Sequence, residues 1–272
     1  MPKTTSDEAP VLVEPWGETI TRIVLNRPSA MNAYTTAICE ALTAAVDAYV
    51  RDDTQRVLVL TGAGRGFCAG GDVSGNDAHR ADLMASQLSH GREMRDGMHR
   101  VIRALHDCDK PTLAAINGPA VAGGLTLALA CDLRIAARSA KLGDTSGRFG
   151  LLPDEGGAWY FPRAMGLDRA LKMTLLAETY DAETALALGL VTEVVDDADL
   201  DQRVRTLAEA LSERAPLAVR LAKSMAVKAQ SQTLEAALRD AQLAVMIANP
   251  SEDVREGVEA FFQRRKPNFT GR

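Results

Sequence analysis

Between Pro111 and Cys131 the chain runs for 21 residues without a charged side chain. A stretch of that length has to leave water, either in a bilayer or in a protein core. Asn117-Gly118-Pro119 decides between the two, because a turn signal in mid-run splits it into a strand-like TLAAI and a helix-like GGLTLALA. The run is read as a buried strand-to-helix connection, with no membrane span.

The segments around it repeat the theme. VLVE and ITRIVLN are short β-rich runs, TTAICEALTAAVDAYV carries apolar residues at helical spacing, and RVLVLTG is a strand ending in a glycine loop. A second cycle follows as Thr112 to Ile116, the helix opened by Gly123, and a strand from Leu133 to Ala136. Strands alternating with helices predict an α/β fold with parallel strands. Asp77 to Asp109 reads as amphipathic helix after a mobile loop at Ser74-Gly75-Asn76, and from Asp181 onward the strand signal fades. Helices are predicted over 181–188, 198–213, 216–229, 232–247 and 251–263, with Pro216 starting one and Asn249-Pro250 separating the last two.

Charge and composition restrict the partners. With 31 Lys+Arg against 36 Asp+Glu the net charge is -5, which disfavours binding to nucleic acid or an anionic membrane through overall charge. Cys39, Cys68, Cys108 and Cys131 form no C-x-x-C pair, and MPKTTSDEAP lacks the apolar core of a secretory signal, so a thiol-reduced, cytoplasmic protein is expected. His79, His90, His99 and His106 fall in the amphipathic region without a zinc pattern, so no metal is expected.

The glycine loop from Thr61 to Asp72 invites a nucleotide-binding label, but the spacing refuses it. A dinucleotide fingerprint begun at Gly62 and Gly64 requires glycine where Phe67 stands, and a phosphate loop requires Lys-Ser/Thr where Asp72-Val73 stands. A G-x-S-x-G elbow does not occur in the sequence. Ala69-Gly70-Gly71 and Gly123-Gly124 can instead present backbone N–H groups at close range. Two such donors converging on one oxygen would stabilise charge developing on a carbonyl. Each loop taken alone is also compatible with a plain strand-to-helix turn.

Several blocks together resemble the crotonase, or enoyl-CoA hydratase/isomerase, superfamily. They are Asn26-Arg27-Pro28 with Asn32-Ala33, Phe67 through Asp72, Asn117 through Gly124, Ala130-Cys131-Asp132, Leu151-Leu152-Pro153 with Gly156-Gly157, Ala187 through Val191, and Phe261 through Phe269. The resemblance implies a crotonase-like spiral of ββα units over residues 1–195 and a helical C-terminal extension, 196–272, that forms a homotrimer or a dimer of trimers. It implies an acyl-CoA thioester as substrate, with coenzyme A part of the substrate and no separate cofactor. By position, the N–H groups of Ala69 and Gly123 would hold the thioester oxygen. Ser29, Ala30, Phe67, Gly70, Gly71 and Asp72 would lie near the CoA, and Phe261 and Arg264 match positions that reach a CoA, often a neighbouring subunit's. A packing aromatic and a solvated basic tail would account for the last two equally well.

The chain departs from the family's hydratases at the two positions where those enzymes carry glutamates. Thr126 and Ser146 stand there. Hydroxyls orient water but are not useful bases near neutrality. Asp154, eight residues beyond Ser146, matches aspartates of family members that move double bonds. A single base serves that reaction, with Glu155 as the alternative base and helix capping as the alternative role for Asp154. Cys68 lacks a recognisable His partner for nucleophilic work. The expectation is an enzyme that isomerises an enoyl-CoA through a thioester enolate. Enoyl-CoA hydration, thioester hydrolysis and a non-catalytic CoA-binding role are the alternatives.

Overall fold

The computed structural model describes residues 9–74 and 87–272; the expected loop at Gly75-Asn76, the beginning of the helical reading after Asp77, and His79 lie outside the described residues. Six strands form the main sheet in the order β1 (Val11–Pro15), β2 (Ile20–Leu25), β3 (Val57–Gly62), β4 (Thr112–Ile116), β6 (Leu133–Ala137) and β9 (Glu193–Val195). The β1–β2 pair is antiparallel and the other pairs are parallel. A second, three-stranded sheet runs β5 (Ala120–Val121), β7 (Lys141–Gly143) and β8 (Thr179–Asp181).

Burial on both faces explains why the central strands are apolar without alternation. Successive side chains of a strand point to opposite faces. Leu58 and Leu60 of β3 join one core with Ile23, Ala114 and Ile116, while Val57 and Val59 join another with Ile20, Leu113 and Ile135. The first core is closed by α1 (Thr36–Arg51), whose Ile38, Leu42, Val46 and Tyr49 fall on one stripe, and by α3 (Met98–His106), with Met98, Val101, Ile102 and Leu105 inward. Thr35 caps α1 by accepting from Ile38 N. A short α2 (Gln87–Asp96) precedes α3.

The second core is closed from beyond residue 195. Helix α8 (Leu200–Ser212) lays Leu200, Val204 and Ala208 on Val57, Val59 and Leu113, so residues after 195 also build the main body. Between lie α4 (Gly123–Leu129), α5 (Gly157–Met165), α6 (Leu167–Leu176) and α7 (Ala182–Leu188). The last helices are α9 (Pro216–Ala229), α10 (Leu234–Ala248) and α11 (Glu252–Gln263). Pro216 opens α9, and α10 stops at Ala248, before Asn249-Pro250.

The uncharged run folds as β4, the Asn117-Gly118-Pro119 turn, β5 and α4, and every residue of α4 is buried. Among the described residues no helix is long and apolar enough to cross a membrane. Strands β5, β7, β8 and β9 carry no signal in the sequence. Each has only two or three residues, too few to display a period of two.

Candidate active site

Two asparagines build the glycine loop after β3. Asn32, fully buried, donates through Nδ2 to the carbonyls of Ala63 and Gly66 at 2.9 and 2.7 Å and accepts from Arg27 N at 2.9 Å. Asn117 donates to the carbonyls of Gly62 and Gly64 at 2.8 and 2.9 Å. A loop this tight buries carbonyls that no strand or helix can satisfy, and the amide side chains supply the missing donors. That is the physical content of the Asn32-Ala33 and Asn117-Gly118 pairs.

The loop then runs beside the start of the second one. Cys68 and Ala120 form a parallel bridge, with Val121 N donating to the Cys68 carbonyl at 3.1 Å. Gly124 sits against that carbonyl so closely that a Cβ there would overlap it. A Cβ on Gly70 would lie 3.5 Å from Gly123 N, which shows how near the two glycine segments come. Gly123 is the first residue of α4, so its N–H has no acceptor within the helix. The other expected donor, Ala69 N–H, points to the Met31 carbonyl at 3.0 Å. Met31 and Asn32 both have left-handed backbone, φ 52° and 55°, which turns that carbonyl toward the loop.

Ala69, Gly71 and Ala122 open on a cavity of about 440 Å³ walled by Met31, Tyr34, Met94, Met98, Phe149 and Leu152. Ala30, Asp72, Ser146, Asp154 and Glu155 also line it. The expected site residues divide as follows. Ser146 is buried at the wall, with its N–H bonded to Asp144 Oδ1 at 3.0 Å. Thr126 is sealed inside α4 and its Oγ1 has no hydrogen-bonding partner among the described residues. Asp154 is exposed at the cavity, and its carbonyl accepts from His99 Nε2 at 2.7 Å. Helix α5 begins after Gly156 with no side-chain cap. Asp72 is held by Arg27 at 2.6 Å, and Ser29-Ala30 lie in a short 3-10 turn. The Phe67 side chain is fully buried in the core rather than on the cavity wall. Phe261, 79% exposed, and Arg264 stand at the end of α11, and neither lines the cavity.

Glu155 is the buried carboxyl of the group. Only 5% exposed, it accepts from the Tyr34 hydroxyl at 2.5 Å. A Cβ on Gly123 would lie 2.5 Å from Glu155 Oε1 and 2.7 Å from the Tyr34 ring, so the pair sits directly against the start of α4. Burial pushes the Glu155 carboxyl up to about 7, the Tyr34 hydrogen bond opposes that rise, and the nearby Asp154 and Asp144 add to it. Burial, reinforced by Glu155, holds the Tyr34 phenol well above its ordinary value, so it remains a donor. Burial also pushes the Cys68 thiol up to about 12, which leaves it un-ionised and a poor nucleophile.

Tyr34 escaped the sequence reading. Its backbone is tied to the loop by Tyr34 N to the Gly70 carbonyl at 2.8 Å and by Asp72 N to the Tyr34 carbonyl at 3.0 Å. Nothing in its local sequence marks it, because its partner lies 121 positions away. Among the described residues no cluster of His, Cys, Asp and Glu could hold a metal ion.

Comparison with known proteins agrees with this geometry. The enoyl-CoA hydratase/isomerase family profile matches residues 16–272. The chain is 39% identical over 253 residues to the 1,2-epoxyphenylacetyl-CoA isomerase of Escherichia coli, covering 92% of this chain and 94% of that protein. It is equally 39% identical, over 251 residues and the same shares, to the (E)-benzylidenesuccinyl-CoA hydratase of Thauera aromatica. The crystal structure of an enoyl-CoA hydratase from Bacillus anthracis superposes with a TM-score of 0.91 at 31% identity, covering 97% of this chain and all of that one. The chain belongs to the enoyl-CoA hydratase/isomerase family, and its fold is that of the crotonase superfamily.

Proposed function

We propose that this acyl-CoA enzyme moves a carbon–carbon double bond, with Asp154 as the base that forms a thioester enolate. The observation that carries the reading is the placement of carboxylates: Asp154 and Glu155 line the cavity beside Ala69 and Ala122, whereas Thr126 is sealed away and Ser146 offers only a hydroxyl. With a 3-enoyl thioester, Asp154 takes a proton from C2 and the electrons of that bond move toward the thioester oxygen. The Gly123 N–H and the Ala69 N–H, the latter exchanging Met31 O for the substrate oxygen, stabilise that charge. Reprotonation at C4 restores the carbonyl and leaves the double bond between C2 and C3. The Escherichia coli relative is likewise named an isomerase of an acyl-CoA, there of an epoxide.

Hydration is the second reading, favoured by the second carboxyl at the wall, Glu155, and by the hydratase activity named for the Thauera relative. Water addition needs both a base and an acid, which two carboxyls supply. Absorbance assays with 2-enoyl, 3-enoyl and dienoyl thioesters of CoA separate the two. Migration of the double bond without uptake of water supports isomerisation; uptake of water without migration overturns it.

A further inference from the structure

Glu155 contributes to the walls of two spaces. One is the acyl cavity; the other, of about 530 Å³, is lined also by His99, Ile102, His106, Trp159 and Tyr160. Oε1 is fixed by the Tyr34 hydroxyl, while Oε2 is enclosed and has no hydrogen-bonding partner among the described residues. A buried carboxyl oxygen left in this way is suited to a proton, a water molecule or a substrate atom. Asp154 differs in being exposed at the mouth of the acyl cavity.

We propose that Glu155, oriented by Tyr34, is a second proton carrier of the acyl cavity, delivering a proton to the enolate that Asp154 creates and regaining one from solvent through the second cavity. This rests on the enolate reading above and adds an acid to its base. The proton inventory closes. Asp154 takes the C2 proton; the enolate electrons re-form the carbonyl, make the C2=C3 bond, and draw the Glu155 proton onto C4. Asp154 ends protonated and Glu155 ionised. The exposed Asp154 returns its proton to water, and Glu155 is refilled through the second cavity, so no oxidant or further reactant is required.

The surroundings suit a carboxyl that is protonated part of the time near neutrality. Tyr34 bonds to it, Asp154, Asp144 and the neutral Cys68 thiol act on it electrostatically, and the second cavity carries Arg95, Arg103, His99 and His106. The Tyr160 hydroxyl and His106 Nδ1, both on the wall of that second space, are hydrogen-bonded at 3.1 Å. Burial raises the carboxyl to about 7, while the Tyr34 hydroxyl favours the ionised form. Tyr34 is thus a positioning residue that also tunes the acid.

The test uses a 3-enoyl thioester in D₂O, following C2 exchange and double-bond migration by NMR. Glu155→Gln is expected to keep C2 exchange while isomerisation falls about 100-fold, the usual worth of a general acid. Tyr34→Phe is expected to move the falling limb of the pH–rate profile to higher pH, because the ionised carboxyl loses its hydrogen bond. Wild-type isomerisation in Glu155→Gln, joint loss of exchange and isomerisation, or an unmoved limb in Tyr34→Phe overturns the proposal. Should the wild-type protein itself neither exchange nor isomerise, the enolate reading fails instead, and the two failures are told apart by the unmodified enzyme.

Discussion

Replacing Glu155 by Gln is expected to stabilise the fold at alkaline pH and to change little in acid. The carboxyl has an ordinary value of 4.5 and stands at about 7 in the folded protein. A group whose folded value is raised contributes its stability below the unfolded value and loses it as pH climbs through the folded one. At about 1.36 kcal/mol per pH unit, wild-type stability declines by about 3 kcal/mol between pH 4.5 and pH 8 from this group alone. Glutamine keeps an oxygen for the Tyr34 hydroxyl and does not titrate. Urea unfolding of both proteins across that range isolates the effect, since all other groups cancel in the difference. The Glu155→Gln protein should gain about 3 kcal/mol relative to wild type as pH rises, with the change centred between 4.5 and 7. Parallel stability curves would refute the burial argument and, with it, the assignment of Glu155 as a carboxyl protonated near neutrality.

Three other outcomes follow from the geometry. Gly124→Ala places a methyl on the Cys68 carbonyl, a backbone atom that cannot swing aside, so thermal unfolding should show a loss of about 3 kcal/mol despite alanine's better helix propensity. Asn32→Ala strips the buried carbonyls of Ala63 and Gly66 of their donors; a loss of about 2 to 4 kcal/mol in urea unfolding is expected, together with falling activity as the Ala69 loop relaxes. Leu171, Leu175 and Leu176 of α6 and Leu234, Leu238 and Met246 of α10 are exposed, an apolar display that fits subunit contacts. Light scattering should therefore give an oligomer, and a monomeric wild-type protein would contradict that use of the exposed leucines.

What the sequence reveals and what it hides have distinct physical causes. The parallel sheet was legible because strands buried on both faces become unbroken apolar runs, as in RVLVLTG and TLAAI, and Pro216 marked the start of its helix. The two glycine loops were legible as places of close backbone approach, and Gly124 and Gly70 show the contacts that exclude a side chain. The two-residue and three-residue strands of the second sheet left no trace, because pairing partners far away in sequence make them. Helix α8 reads from sequence as part of an appended helical region, yet its Val204 and Ala208 close the second face of the main sheet. Amphipathic spacing tells which face is buried and not what it is buried against.

The site shows the same division. Thr126 and Ser146 could be placed by alignment to blocks of fixed spacing, and so could Asp154. The orientation of two consecutive acids could not. Asp154 is exposed and Glu155 is buried, although the two are adjacent in the turn that precedes α5. Tyr34 meets Glu155 across 121 positions of sequence, a contact no local pattern announces.

Proton exchange at C2 of a 3-enoyl thioester of CoA, followed by NMR in D₂O with wild type and Asp154→Asn side by side, tests the proposed enolate chemistry most directly. The wild-type enzyme should exchange C2 protons far faster than buffer, while Asp154→Asn should bind the thioester with similar affinity by calorimetry and lose the exchange. Exchange that survives in Asp154→Asn, or wild-type exchange no faster than buffer, would contradict it.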